Sequence, residues 1–185
     1  FGWLGSAAWC LAASLATRTY SHVDRLWSVM PALYAVHAAH CGGWEPRGGA
    51  MAALAVAWGA RLTWNFARKG GYAAGEEDYR WPYLRTLPVL RNPVAWQLFN
   101  VSFICLYQQL LLLLIACPAY VAAGVKPAPP LGPLDAAAAM LFAGFLLLES
   151  AADQQQWAFQ QAKHGKAPRE EAAAADYRRG DPSRG

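Results

Sequence analysis

Charge is what this sequence has least of, and its absences are arranged in blocks. No Asp, Glu, Lys or Arg occurs in residues 1–17, 26–44, 48–60, 92–125 or 136–148. Charged residues make up 15% of the 185-residue chain, against 56% hydrophobic residues and 9 Trp. An ordinary soluble domain carries about a quarter charged residues, so that class is excluded. The glycine signatures of nucleotide-binding folds are missing too. No G-x-G-x-x-G follows a strand pattern and there is no P-loop, which excludes a Rossmann or Walker site. The four cysteines, Cys10, Cys41, Cys105 and Cys117, form no C-x-x-C pair and all lie in apolar stretches. They read as small hydrophobes and do not indicate a redox compartment. Residues 1–17 have no basic n-region, so they do not read as a signal peptide. His37, His40 and Cys41 crowd together without an acidic neighbour, a spacing too weak to read as a metal site. The Asn100-Val-Ser102 sequon falls inside an apolar run, where no glycan is expected.

What remains is an all-α, multi-span membrane pattern. A bilayer-crossing helix needs about 20 mainly apolar residues. Five spans are predicted, near 1–17, 25–42, 49–67, 94–120 and 135–158, together forming a transmembrane helical bundle over residues 1–162. Residues 163–185 read as a basic cytoplasmic connector or tail. The first span looks cut short and the chain opens on Phe1, which reads as a fragment. The 16 Lys and Arg residues alternate between rich and poor loops: 13 on one side, Arg47 and Lys126 on the other, and Arg61 within a helix. By the positive-inside rule the rich side is cytoplasmic. The net charge of +4 is thus a topology signal, and no nucleic-acid partner is expected. The expected partner is the lipid bilayer, and the location an integral multi-pass one. The sequence does not choose an organelle, with endoplasmic reticulum the expectation if the source is eukaryotic.

Polar groups then stand out against this background. Arg61, Trp64, Asn65 and Arg68 recur at i, i+3, i+4 and i+7, one stripe on an otherwise apolar helix that Gly70-Gly71 should end. Upstream, Asp24 and Ser28 share a helix face, while the adjacent Asp24 and Arg25 diverge, so each needs a partner elsewhere. Pro31 should kink the second span. The loop 70–91 holds Glu76, Glu77, Asp78, Arg80, Arg85 and Arg91 among aromatics. It reads either as a solvated loop resting in the headgroups or as a mouth for an anionic ligand, since the planar Arg fork suits phosphate. In span four, Gln97, Asn100, Gln108 and Gln109 read as hydrogen-bonding links between helices. A second stripe in span five, Glu149, Asp153, Gln156 and Gln160, places two acids on one membrane-helix face. Two such acids repel unless cations or a polar ligand meet them, and Arg61 and Arg68 are the expected partners. The alternative is a structural ion-pair network at the membrane edge.

Several motifs in order resemble a known family. They are Tyr20-Ser-x-Val-Asp-Arg-Leu-Trp-Ser28, Arg61-x-Thr-Trp-Asn-x-x-Arg-Lys-Gly-Gly-Tyr72, Glu77-Asp-Tyr-Arg-Trp81, Phe99-Asn100 and Glu149-x-x-x-Asp-x-Gln-x-x-x-Phe159. They look like the integral-membrane proteins of unknown function related to the steroid 5-alpha-reductases. The resemblance implies a helical bundle that binds NADPH on its cytoplasmic side and reduces a carbon–carbon double bond conjugated to a carbonyl, in a lipid or steroid-like substrate. On that reading Arg61, Asn65, Arg68, Glu149 and Asp153 are the cofactor-binding candidates, and no metal is implied. The residue facing the substrate carbonyl is left open, with Tyr34 a guess. The family continues past a region like Arg179-Gly-Asp to an Arg-His-Pro-Asn-Tyr type motif and two further spans, which this chain lacks, so it reads as an incomplete member. Two alternatives stand beside the reductase: a membrane methyltransferase of the isoprenylcysteine type, and a non-catalytic membrane protein.

Overall fold

Residues 2–163 are described by a computed structural model, and no strand occurs among them. The connector expected at 163–185 lies outside the described residues except for Lys163. The element order is α1 (Gly2–Thr17), α2 (His22–Trp27), α3 (Met30–Cys41), α4 (Pro46–Arg68), α5 (Arg80–Leu84), α6 (Pro93–Phe99), a π-helical stretch (Asn100–Tyr107), α7 (Gln108–Gly124) and α8 (Pro133–Lys163). The chain divides into two compact units, Phe1–Ala139 and Met140–Gly185.

Five spans were expected, and two helices meet the length and composition a membrane crossing needs: Pro93–Gly124 and Pro133–Lys163. The first expected span is a helix of 16 residues. The second is broken: Pro31 lacks an N–H and sits in the first turn of α3, so the chain starts a new helix there instead of bending one. The third, α4, runs for 23 residues, but its composition is diluted by Ala, Gly and the Arg61–Arg68 stripe. Its end is as expected. Gly70 takes a φ of 84°, the left-handed conformation that stops a helix and that only glycine adopts without cost.

In the first unit α3 packs against both α4 and α7. Gly59 is why α3 and α4 can approach: a Cβ there would stand 2.7 Å from the Ser28 carbonyl oxygen and 3.1 Å from the Ala32 Cβ. Small residues allow such close helix contact where no hydrophobic drive joins helices. Further along the same seam Gly48 faces Ala39. At the Pro46 end, the Arg47 fork donates two bonds to Asp135, at 2.7 and 2.8 Å, and Lys126 donates to the Gly42 carbonyl at 2.6 Å. Arg47 and Lys126 therefore share one end of this unit, and α4 carries the chain to the loop after Arg68, roughly 35 Å of helix away at 1.5 Å per residue.

One apolar cluster joins Cys10, Tyr20, Val23, Trp81, Trp96 and Ile104; another places Tyr34 against Leu112 and Ala116. The amides of the fourth expected span are interior links, as their spacing suggested. Asn100, fully buried, donates to Ser14 at 3.0 Å and accepts from the Cys105 thiol. Gln109, also fully buried, accepts from Ser6 at 2.9 Å and donates to Cys10. Gln108 accepts from the Trp27 indole at 2.8 Å.

Candidate functional site

At the Arg68 end of α4 two polar assemblies are built from the residues the sequence had singled out. The first is a clamp between the α2 region and the loop that follows α4. The Tyr20 amide donates to Glu77 at 2.8 Å, and the Asp78 amide donates to the Ser21 hydroxyl at 2.8 Å. Asp24 accepts from the Trp81 indole at 2.9 Å and from Arg80 at 3.3 Å. Arg25, diverging from Asp24 as adjacency on a helix requires, donates to the carbonyls of Gly71, Ala73 and Glu76 at 3.2, 3.0 and 3.4 Å. Ser28 and Tyr72 share a hydroxyl–hydroxyl bond of 2.8 Å. Asp24 and Arg25 thus find their partners in the loop, where the sequence alone had left them unassigned.

The clamp's electrostatics follow from its burial. Burial pushes the Asp24 carboxyl up, against the indole and hydroxyl bonds and the Arg80 charge that favour its ionised form. At Asp78 burial acts in the same sense, but two bonds from Arg80 and its charge outweigh it and hold the carboxyl below the usual range. The Arg85 guanidinium packs against two rings, 4.4 Å from that of Tyr20 and 4.9 Å from that of Trp96, while donating to Glu77 at 3.0 Å. These contacts hold Glu77 and Arg85 as parts of the scaffold.

The second assembly is the α4 stripe. Asn65 is 5% exposed and accepts from Arg68 Nε at 2.9 Å. The Arg68 guanidinium lies 4.4 Å over the ring of Trp64, and that ring is 60% exposed. Here the spacing read from the sequence becomes contact: Asn65 aims Arg68, and Trp64 supports its face. Arg61, one turn earlier, is half-buried on the same helix. Glu149 and Asp153 stand four residues apart on α8 in the second unit, Glu149 exposed and Asp153 half-buried. Arg61, Arg68, Glu149 and Asp153 each take part in polar or electrostatic interactions, so none is a free charge.

Metal binding at His37, His40 and Cys41 finds no support among the described residues, where no group of three or more potential ligands forms. His37 instead bonds the Tyr120 hydroxyl at 2.9 Å. What the sequence did not reveal is the reach of Ser21 and Arg25 to backbone groups of the loop, and of the Tyr20 amide to the Glu77 carboxylate. A backbone donor or acceptor carries no residue signature.

The described residues are all-helical, and two of their helices are long and apolar enough to cross a membrane. The chain belongs to the family described as "Protein of unknown function (DUF1295)", whose model matches residues 8–173. It is 38% identical over 165 residues to an uncharacterized protein of Schizosaccharomyces pombe, an alignment covering 87% of this chain and 46% of that relative. The chain thus spans about half the length of the curated relative it matches. No solved structure matches it.

Proposed function

We propose that this chain is the proximal part of a membrane-embedded, NADPH-dependent reductase that acts on a carbon–carbon double bond conjugated to a carbonyl in a lipid or steroid-like substrate. The observation that carries the reading is the Asn65–Arg68–Trp64 assembly. A buried amide fixes an Arg at the end of an apolar helix, with an exposed indole beneath it. A planar guanidinium held this way suits a phosphate, and the exposed ring beside it suits a flat base. Arg61 supplies a further cation on the same helix. NADPH would supply the hydride; the chain's residues position the cofactor, compensate its charge and exclude water. The resemblance of the motifs to the steroid 5-alpha-reductase relatives supports the same reading.

In this proposal all five apolar segments lie in the bilayer as a multi-pass bundle, with the loop after α4 on the cytoplasmic side, and the substrate arrives from the lipid. Titration of detergent-solubilised protein with NADPH tests it. Arg68→Ala should weaken binding by about 1.5–3 kcal/mol, roughly ten- to a hundred-fold in Kd, the worth of a charge-assisted phosphate contact. Unchanged affinity would make Arg68 structural and remove the cofactor site.

A further inference from the structure

Two buried donors without a hydrogen-bond partner meet in one place. Trp96 is 5% exposed, and its indole Nε1 is unpartnered. Arg85 Nε is buried and unpartnered as well, and the Arg85 guanidinium carbon lies 4.9 Å from the centre of the Trp96 ring. Arg85 donates to the Glu77 carboxylate through Nη2, which leaves Nε unspent. The same carboxylate also accepts from the Tyr20 amide. Both open groups can donate and cannot accept, so what they lack is an acceptor. A water would bring hydrogens of its own into a cluster that Leu84, Leu90 and Ile104 make apolar. An anionic oxygen brings none and gains charge-assisted bonds.

Depth and neighbours narrow the anion. Trp96 lies three residues inside Pro93, where a helix of membrane length begins and runs to Gly124. That end of a membrane helix is the level of lipid phosphates. Among the described residues no carboxylate meets Arg91, which follows Leu90 and bonds the Thr86 carbonyl at 3.4 Å, so positive charge is left over here. From Trp96 a row of rings then runs along the helix. Trp96 and Phe99 are 5.7 Å apart between ring centres, Phe99 and Phe103 5.0 Å, and Phe103 and Tyr107 5.5 Å. The last two pairs are stacked, at 16° and 20°, and Phe103 and Tyr107 are exposed. From Trp96 to Tyr107 is about 11 residues, at most roughly 16 Å of helix. That is about half of a hydrocarbon core some 30 Å thick, the reach of one acyl chain in one leaflet.

We propose that Arg85 and Trp96 hold the phosphate of one bound phospholipid, whose acyl chain lies along the Phe99–Phe103–Tyr107 row. The cover that yields to the phosphate is side chain: Leu84 and Leu90 pack against the cluster and are only partly buried. The site shares no residue with the Asn65–Arg68–Trp64 assembly, so NADPH affinity is expected to be the same in Trp96→Phe and wild type. Two sources of the phosphate share this chemistry, a lipid headgroup and free phosphate; the row of rings favours the lipid.

The test uses the chain purified in detergent and stripped of lipid. Dioleoylphosphatidylglycerol, dioleoylglycerol and inorganic phosphate are added separately, and melting is followed against concentration. Phosphatidylglycerol should raise the wild-type Tm to a plateau, while dioleoylglycerol, with the same chains and no phosphate, leaves it where it was. Arg85→Lys keeps the charge and loses Nε, and it should weaken phosphatidylglycerol roughly ten-fold or more, the worth of one bond to a charged group. Trp96→Phe removes the indole donor and should weaken it in the same direction, and it carries the test alone where Arg85→Lys does not fold. Phe103→Leu leaves both donors in place and should also weaken the lipid. Equal plateaus and midpoints in wild type, Arg85→Lys and Trp96→Phe overturn the proposal. A rise with inorganic phosphate that matches the lipid's, together with no effect of Phe103→Leu, overturns the lipid as occupant.

Discussion

At the scale of single residues, the chain separates polar groups that hold it together from those that present chemistry. Asn100 is the clearest of the first kind. It is fully buried and bonds Ser14 and Cys105 on either side. Asn100→Leu should lower stability by about 1–3 kcal/mol, because it removes the bond to Ser14 across the helices and leaves the buried Cys105 thiol without its acceptor, while Ser14 keeps its bond to the Leu11 carbonyl. Thermal melting in detergent would show it, and an unchanged Tm would mean that the amide is not the link between α1 and the π-helical stretch. Gly59 is a second case. The Ser28 carbonyl lies 2.7 Å from where an alanine Cβ would stand, so Gly59→Ala should cost about 1–3 kcal/mol through forced separation of α3 and α4. Arg68, stacked on an exposed ring, belongs to the second kind and should change ligand affinity more than melting.

At the scale of elements, the clamp between α2 and the loop after α4 makes a pH prediction whose sign differs between its two acids. Asp78 has its carboxyl held down, so its contribution to stability is present above the unfolded carboxylate range and fades as pH falls through its folded value. Asp24 is pushed up and contributes in the opposite sense: its ionisation costs stability as pH rises from the unfolded range through its folded value. Asp78→Asn should therefore destabilise at neutral pH, by no more than about 1 kcal/mol because Arg80 is largely exposed, with the difference vanishing in acid. Asp24→Asn keeps an acceptor for the Trp81 indole and should be tolerated at neutral pH at least as well. Melting curves of the two variants between pH 3 and 7 would check this. Parallel pH profiles would overturn the assignment of opposite roles.

At the scale of the whole molecule, the alternation of charge has a counterpart in the first unit. Arg47 and Lys126 meet at the Pro46 end of α4, and the clamped loop sits beyond its Arg68 end. A bilayer placed across this unit should leave Ala74 and Leu131 on opposite sides. After Cys41 and Cys117, both exposed, are replaced by Ser, single Ala74→Cys and Leu131→Cys variants should label from opposite faces of sealed vesicles with an impermeant maleimide. Labelling of both from the same face would reject this orientation. The curated relative it matches is about twice this chain's length.

Periodicity and charge patterning, both local properties, were enough to read an all-helical chain, the glycine stop after α4, the Asn65–Arg68 stripe and the interior role of Asn100 and Gln109. A side chain three or four residues away on a helix is a neighbour whatever the rest of the chain does. Tertiary structure alone decided three other things. The close approach of α4 to α3, with Gly59 against Ser28 and Ala32, showed only in the packing. Asp24 and Arg25 went to the loop some 50 residues on, through an indole and backbone carbonyls that no spacing rule connects. The Tyr34 hydroxyl was buried without a partner, which no local spacing foretells. Distant partners depend on how helices pack, and packing is set by the sum of many contacts, each too weak to mark its residue in the sequence.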